Sequence, residues 1–301
     1  MMTLEDCRCF YAQEVRWTAN LSSSALIDAY ARVPREKYLG PPPWQIGSAD
    51  DRAMSISGMA NMNYLTTDDP RDLYHNVVVG LDVAHNINNG QPGALARWIN
   101  ALDPRAGDRA YHLGCGVGYY TAIIAEVVGA GGSVMGCEVH PELAARANEN
   151  LSGYPNVSVH SGDGAQFDPG ACDAMLINAG VTHPHLLWLE RLREGGRLVL
   201  PITMTLAPMP TVGAGIMVKI TRRGGAFSAE FVSPVAIFSC SSARDPQLEA
   251  PLAKALSSRA ALKLKSVRVD PHQHEETCLV HASGICLSTA EPAATGQAAA
   301  I

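Results

Sequence analysis

The chain has 301 residues, 47% hydrophobic and 17% charged, so it can bury a sizeable core and is not an intrinsically disordered polymer. Lys and Arg number 23 against 29 Asp and Glu, a formal charge of -6 with no basic block, which argues against nucleic acid as the main partner. No run approaches the roughly 20 apolar residues of a membrane span; the most apolar central stretch, Ile123 to Cys137, is broken by Glu126, Gly129, Gly131 and Gly132. Met1 to Trp17 carries Glu5, Asp6, Arg8, Glu14 and Arg16 and no apolar export core, and the eight cysteines are scattered along the chain. The expectation is a cytoplasmic protein with reduced thiols and no membrane partner.

In chain order, the first third reads as helix and loop, with a helix over Ser24 to Ala31 ended by Pro34. Pro41, Pro42 and Pro43 force an extended passage, and residues 45–72 read as irregular. The middle third alternates: a helix over Gln91 to Leu102, a strand Arg109 to Leu113, a helix Tyr119 to Val128 and a strand Ser133 to Glu138. A helix over Pro141 to Leu151 follows, then strands Asn156 to His160 and Asp173 to Asn178, a helix Pro184 to Leu192 and a strand Arg197 to Ile202. Such alternation predicts an α/β fold: a doubly wound, mostly parallel sheet with helices on both faces. Beyond it, Ala214 to Thr221 and Ala226 to Val232 flank Gly224-Gly225, an antiparallel hairpin signal. Pro246 to Leu256 reads as helix, Lys263 to Val269 and Thr277 to Leu287 as strands, and 289–301 as a loose tail. The expected division is a cap over 1–80, a core over 81–240, an extension over 241–288 and a flexible tail over 289–301.

The segment His112-Leu113-Gly114-Cys115-Gly116-Val117-Gly118 sets a glycine run between a predicted strand and a predicted helix. It reads either as a tight turn or as bare main chain on which a ligand lies. The next predicted strand ends in Glu138, where a carboxylate can accept from a ribose diol. The third glycine comes one residue too early for a nicotinamide fingerprint. Asp163-Gly164, after the third strand, suits the exocyclic amine of adenine, and Asn178 closes the fourth.

Together Gly114, Gly116, Gly118, Glu138, Asp163, Gly164 and Asn178 resemble a class I S-adenosylmethionine-dependent methyltransferase. Val33-Pro34-Arg35-Glu36 resembles the VPRE segment of protein-L-isoaspartate O-methyltransferases. Tyr74 to Gly80, Ile87 to Pro92 and Gly195-Gly196-Arg197-Leu198-Val199-Leu200-Pro201 resemble further segments of that family, in the family's order. The resemblance covers about residues 25 to 205, more weakly to about 240. It implies a Rossmann-like sheet ending in antiparallel strands, S-adenosylmethionine as cofactor, and a cofactor site at His112, Gly114, Cys115, Gly116, Gly118, Glu138, Asp163, Gly164 and Asn178. Two departures stand out. Where the family usually reads T-I-S-x-P, the chain reads Asn88-Asn89-Gly90-Gln91-Pro92, with Gly90 in the place of the serine. The acidic residue usual two positions before the first glycine is His112.

The resemblance implies an O-methyltransferase whose acceptor is a carboxylate of a peptide or protein, with Asn89, Gly90 and Gln91 at the site of transfer. Asn amides hold carboxylates by donating N–H groups, although Asn88 to Gln91 reads equally as a turn before a helix. A carboxylate is ionised at neutral pH and needs no base; an amine or phenol would want one, and His112, His183 and His185 are nearest by position. Isoaspartyl peptides are expected to be poor substrates. Other readings are a small-molecule O- or N-methyltransferase and a non-catalytic nucleoside- or partner-binding module. Trp98 and Trp188 read as core. His272, His274, Cys278, His281 and Cys286 fit no standard metal spacing, so no metal is expected.

Overall fold

Thr3 and Asp6 start the chain's first helix by a reciprocal cap. The Thr3 hydroxyl accepts from the Asp6 N–H at 3.1 Å, and the Asp6 carboxylate accepts from the Thr3 N–H at 2.9 Å. The computed structural model describes residues 2–48, 63–206, 209–282 and 284–292. Its contacts gather into two units, Met1–Gly162 and Asp163–Ile301.

The first unit opens with α1 (Leu4–Ala19) and α2 (Ser24–Arg32). Residues 45–72, expected to be irregular, instead carry two short strands and a 3-10 turn over Pro70–Leu73, and 49–62 lie outside the described residues. Strand β1 (Trp44–Gly47) pairs antiparallel with β2 (Tyr64–Thr67) and with β3 (Val78–Asp82), and β4 (Ile87–Asn88) completes the order β2-β1-β3-β4. The reason is a small core of its own: Trp44 and Val79 are buried with Leu39 and Leu73, and Ile46 and Leu81 pack on them.

Helix α3 (Pro92–Leu102) buries Leu95, Trp98, Ile99 and Leu102, the face its spacing predicts. Next come β5 (Arg109–Leu113), α4 (Tyr119–Val128), β6 (Ser133–Glu138), α5 (Pro141–Asn150) and β7 (Val157–Ser161). Strands β5, β6 and β7 are parallel neighbours in that order. Each is joined to the next by a helix, the connection parallel pairing requires.

In the second unit β8 (Cys172–Ile177), α6 (Leu186–Arg191) and β9 (Leu192–Leu206) form a parallel βαβ unit. Then β10 (Met209–Arg223) and β11 (Ala226–Phe238) run antiparallel from β9, turning at Gly224-Gly225. These three strands outrun the predicted ones, and at the end of β9 polar residues continue the ladder. Thr203 is fully buried; its hydroxyl accepts from Arg244 Nη1 at 3.0 Å, and the Glu249 carboxylate accepts from the Thr205 N–H at 2.9 Å.

The predicted helix at Pro246 begins as a 3-10 turn, Pro246–Leu248, before α7 (Glu249–Ser257). The predicted strand Lys263 to Val269 shortens to β12 (Ser266–Arg268). Thr277 to Leu287, expected to be one strand, is a hairpin of β13 (Cys278–Ala282) and β14 (Ile285–Ser288), which turns at Gly284 with φ of 83°. Beyond it, the Thr289 N–H still donates to the Thr277 carbonyl at 2.9 Å, and 293–301 of the expected tail lie outside the described residues. Trp98 and Trp188 are core. None of the eight cysteines is in a disulfide. Among the described residues no helix is long and apolar enough to cross a membrane.

Candidate active site

Strand β5 hands the chain to the glycine loop, which hangs on the end of β6. The Gly114 and Cys115 N–H groups donate to the Cys137 carbonyl at 2.8 and 3.2 Å. The Gly116 N–H donates to Glu138 Oε2 at 2.8 Å, and the His140 N–H donates to Glu138 Oε1 at 3.1 Å. Glu138 is 5% exposed. Main chain thus fixes its carboxylate, and each oxygen keeps a second lone pair for another donor. Gly116 has φ of 55°, and a Cβ built there meets no heavy atom within 4 Å. A side chain at 116 would project into open space beside the loop. At the loop's end, Asn150 Nδ2 donates to the Val117 carbonyl at 2.9 Å.

The segment before α3 approaches the same helix. The Asn89 N–H donates to the Val79 carbonyl at 2.9 Å, and the Gly90 N–H to Asn88 Oδ1 at 3.0 Å. The Tyr120 hydroxyl donates to the Gly90 carbonyl at 3.2 Å. Tyr120 is the second residue of α4, the helix the glycine loop feeds, so the structure brings the two predicted segments together. Gly90 has φ of 73°, and a Cβ there would sit 3.0 Å from Leu95 Cδ2. Asn89 is 8% exposed, and its Nδ2 has no hydrogen-bond partner. Gln91 is half-buried at the N-cap of α3, where its side chain makes no capping bond.

Other predicted residues sit differently. The His112 ring is fully buried, with Nδ1 2.9 Å from the Thr121 hydroxyl of α4; burial holds its pKa down to about 4, so the ring is neutral at pH 7. The Cys115 thiol is buried, and burial pushes its pKa up, which makes it a poor nucleophile. In the second unit Asp163 Oδ1 accepts from the Ala165 N–H at 3.0 Å and from the Ser242 hydroxyl at 2.7 Å. Gly164 is buried, and Asn178 follows β8 half-buried. Gly180 closes that segment as structure, its N–H donating to the Phe238 carbonyl at 2.7 Å. His185 caps α6, its Nδ1 accepting from the Leu187 N–H at 3.3 Å.

Arg35 carries no assigned role in the sequence beyond its place in the VPRE segment. Its side chain is fully buried and donates to the carbonyls of Leu73 at 2.7 Å, His75 at 3.1 Å and Val77 at 2.9 Å. This pins the stretch holding Asn76, whose Oδ1 accepts from the Gly93 N–H in the first turn of α3 at 2.8 Å. The VPRE segment was the only signal for it. Tyr11, Tyr30, Tyr38, Tyr74, Tyr119 and Tyr120 pack edge to face, with ring centroids 5.0 to 6.4 Å apart. Tyr119 and Tyr120 are the first two residues of α4, so this cluster anchors the helix start that carries the loop.

A glycine loop between a parallel strand and its helix, set against a buried carboxylate at the end of the next strand, defines a class I S-adenosylmethionine-dependent methyltransferase. Solved structures share the fold: a protein-L-isoaspartate O-methyltransferase superposes with TM-score 0.58 at 18% identity, over 83% of this chain and 70% of its own. A Plasmodium falciparum structure described under the same enzyme name, in complex with S-adenosyl-L-homocysteine, gives 0.56 at 17% identity, over 77% of this chain and 97% of its own. By sequence, a protein-L-isoaspartate O-methyltransferase of Aeropyrum pernix is 30% identical over 202 residues, 65% of this chain and 67% of the relative. One of Ignicoccus hospitalis is 38% identical over 115 residues, 37% of this chain and 54% of the relative, so the chain matches only about half of that protein. The family model described as Protein-L-isoaspartate(D-aspartate) O-methyltransferase (PCMT) matches residues 13–212. The chain belongs to the PCMT family, and S-adenosylmethionine is its methyl donor. Its residues fit that group: the loop leaves room over Gly116, and Glu138 is buried, fixed and still able to accept.

Proposed function

We propose that this methyltransferase esterifies a carboxylate of a peptide or protein, with Asn89, Gly90 and Gln91 forming the acceptor side of the site. The observation that carries this reading is Asn89: a buried carboxamide whose N–H donors lack a partner, one residue from a carbonyl tied to the start of α4. A buried amide donor left unmatched costs about 1–3 kcal/mol, and a carboxylate oxygen is the acceptor that would recover it. The names of the Aeropyrum pernix and Ignicoccus hospitalis relatives, both isoaspartate O-methyltransferases, support an oxygen of a carboxylate as well.

S-adenosylmethionine supplies a methyl group on a sulfonium with a neutral leaving group. The glycine loop would hold the donor, and Glu138 would accept from its ribose hydroxyls. Asn89 orients the acceptor oxygen. An aspartyl-type acceptor, with a pKa of about 4, is already ionised, so alignment and exclusion of water do most of the work. Gly90 offers no hydroxyl, which sets this site apart from one built for ordinary isoaspartyl peptides.

The test captures labelled methyl groups on lysate peptides and treats them with mild base. Release of labelled methanol is expected, and base-stable label would overturn the carboxylate reading. Asn89→Ala should cut turnover roughly tenfold to a hundredfold, while S-adenosylhomocysteine still raises the melting temperature. Gly116→Val should abolish that thermal shift.

A further inference from the structure

We propose that His272, Cys278, His281 and Cys286 form a structural zinc site that clasps the C-terminal hairpin of the second unit. The ligand atoms of these four residues all lie within 4.8 Å of one another. A tetrahedral zinc, with Zn–S near 2.3 Å and Zn–N near 2.0–2.1 Å, sets sulfur and nitrogen about 3.6 Å apart. His272 Nε2 is 3.7 Å from Cys278 Sγ.

The fold assembles the set in a way the spacing conceals. His281 on β13 and Cys286 on β14 are cross-strand partners. Cys278 lies three residues before His281, which in a regular strand would send the two side chains to opposite faces. The register shifts between Cys278 and Val280, and the extra residue at this bulge returns Cys278 to the face of His281. His272 arrives from the loop between β12 and β13, its side chain 8% exposed.

Two further contacts prepare ligands rather than fill space. His272 Nδ1 lies 2.8 Å from the Asp270 main-chain carbonyl. A carbonyl only accepts, so Nδ1 carries the hydrogen and Nε2 presents its lone pair toward Cys278, the usual arrangement behind a metal-bound histidine. The Glu275 N–H donates to Cys278 Sγ at 3.3 Å and holds the sulfur in place. His281 Nδ1 is buried with no hydrogen-bond partner, and a metal ion would satisfy it. Two thiolates neutralise a divalent ion, and a sulfur and imidazole set selects zinc over magnesium or calcium. Four protein ligands leave no open position, so the ion is structural. His274 stacks near His281, ring centroids 5.9 Å apart, yet lies outside the four.

The test uses the full chain purified without chelator. Elemental analysis should find about one zinc per chain. Cobalt in place of zinc should give visible absorption of tetrahedral intensity and a sulfur-to-cobalt band, both lost in Cys278→Ser and in Cys286→Ser. His274→Ala should keep the metal and both bands. The cobalt spectrum of the unmodified protein keeps the test independent of whether the cysteine variants fold. The thermal shift with S-adenosylhomocysteine, read on the same samples, reports the cofactor site separately. Zinc-free protein that takes up neither metal overturns the proposal. So does a Cys278–Cys286 disulfide in metal-free protein, or cobalt bands unchanged by both cysteine substitutions.

Discussion

Gly90 shows how backbone conformation limits which side chain one position can take. Its φ of 73° lies where L side chains are strained, and its missing Cβ would press on Leu95 at 3.0 Å. Gly90→Ser should therefore lose about 1–2 kcal/mol in denaturant melts and gain no activity on an isoaspartyl peptide. Full activity of the unmodified protein on such a peptide would show that the hydroxyl was never needed. His112 offers a second check. Its folded pKa is held down to about 4 by burial, below the unfolded value of 6.5. The unfolded chain then binds the extra proton first, so the stability this ring contributes is complete above pH 6.5. It is lost as pH falls toward 4, by about 3 kcal/mol. Chemical denaturation of the wild type and of His112→Asn across that window should show the wild type falling more steeply. Parallel curves would mean the ring titrates freely.

Elements here are held by buried polar groups that no periodicity announces. Arg35 sits in a 3-10 turn, yet its guanidinium gathers three carbonyls of the stretch before β3 and, through Asn76, sets where α3 begins. Lysine keeps the charge and loses the planar fork. Arg35→Lys should cost roughly 3 kcal/mol by thermal or denaturant melting, since carbonyls in the core would be left unpaired. Methyl transfer should fall with it, while the surviving folded fraction still binds S-adenosylhomocysteine. A loss below about 0.5 kcal/mol, the range of an ordinary surface substitution, would mean the three bonds are dispensable.

For the molecule as a whole, the chain from Gln91 to Ser161 was legible because its signals are local. Leu95, Trp98, Ile99 and Leu102 repeat at helical spacing, and the glycine run punctuates a strand and a helix. Glu138 was legible for the same reason, as the last residue of an apolar strand. What stayed hidden depends on partners far away in sequence. Trp44 and Val79 make strands of a stretch rich in turn residues. Thr203 and Thr205, near the end of β9, bond Arg244 and Glu249, 41 and 44 residues further along the chain. The spacing of His272, Cys278, His281 and Cys286 does not record the bulge that decides which side chains of the hairpin share a face.

Glycine and serine are one nucleotide apart in half of the glycine codons, so as a change of text Gly90 to Ser is among the shortest available. The protein makes it a long one. A left-handed backbone, held at its carbonyl by Tyr120 and crowded by Leu95, must be rebuilt before a side chain at 90 does anything useful. The first step toward a hydroxyl is thus downhill in fitness wherever folding stability is selected. Sequences that drift from this one should cross to an isoaspartyl-type site only after the loop or Leu95 has changed, and a library built to recover that activity should vary Asn88, Leu95 and Tyr120 together with Gly90.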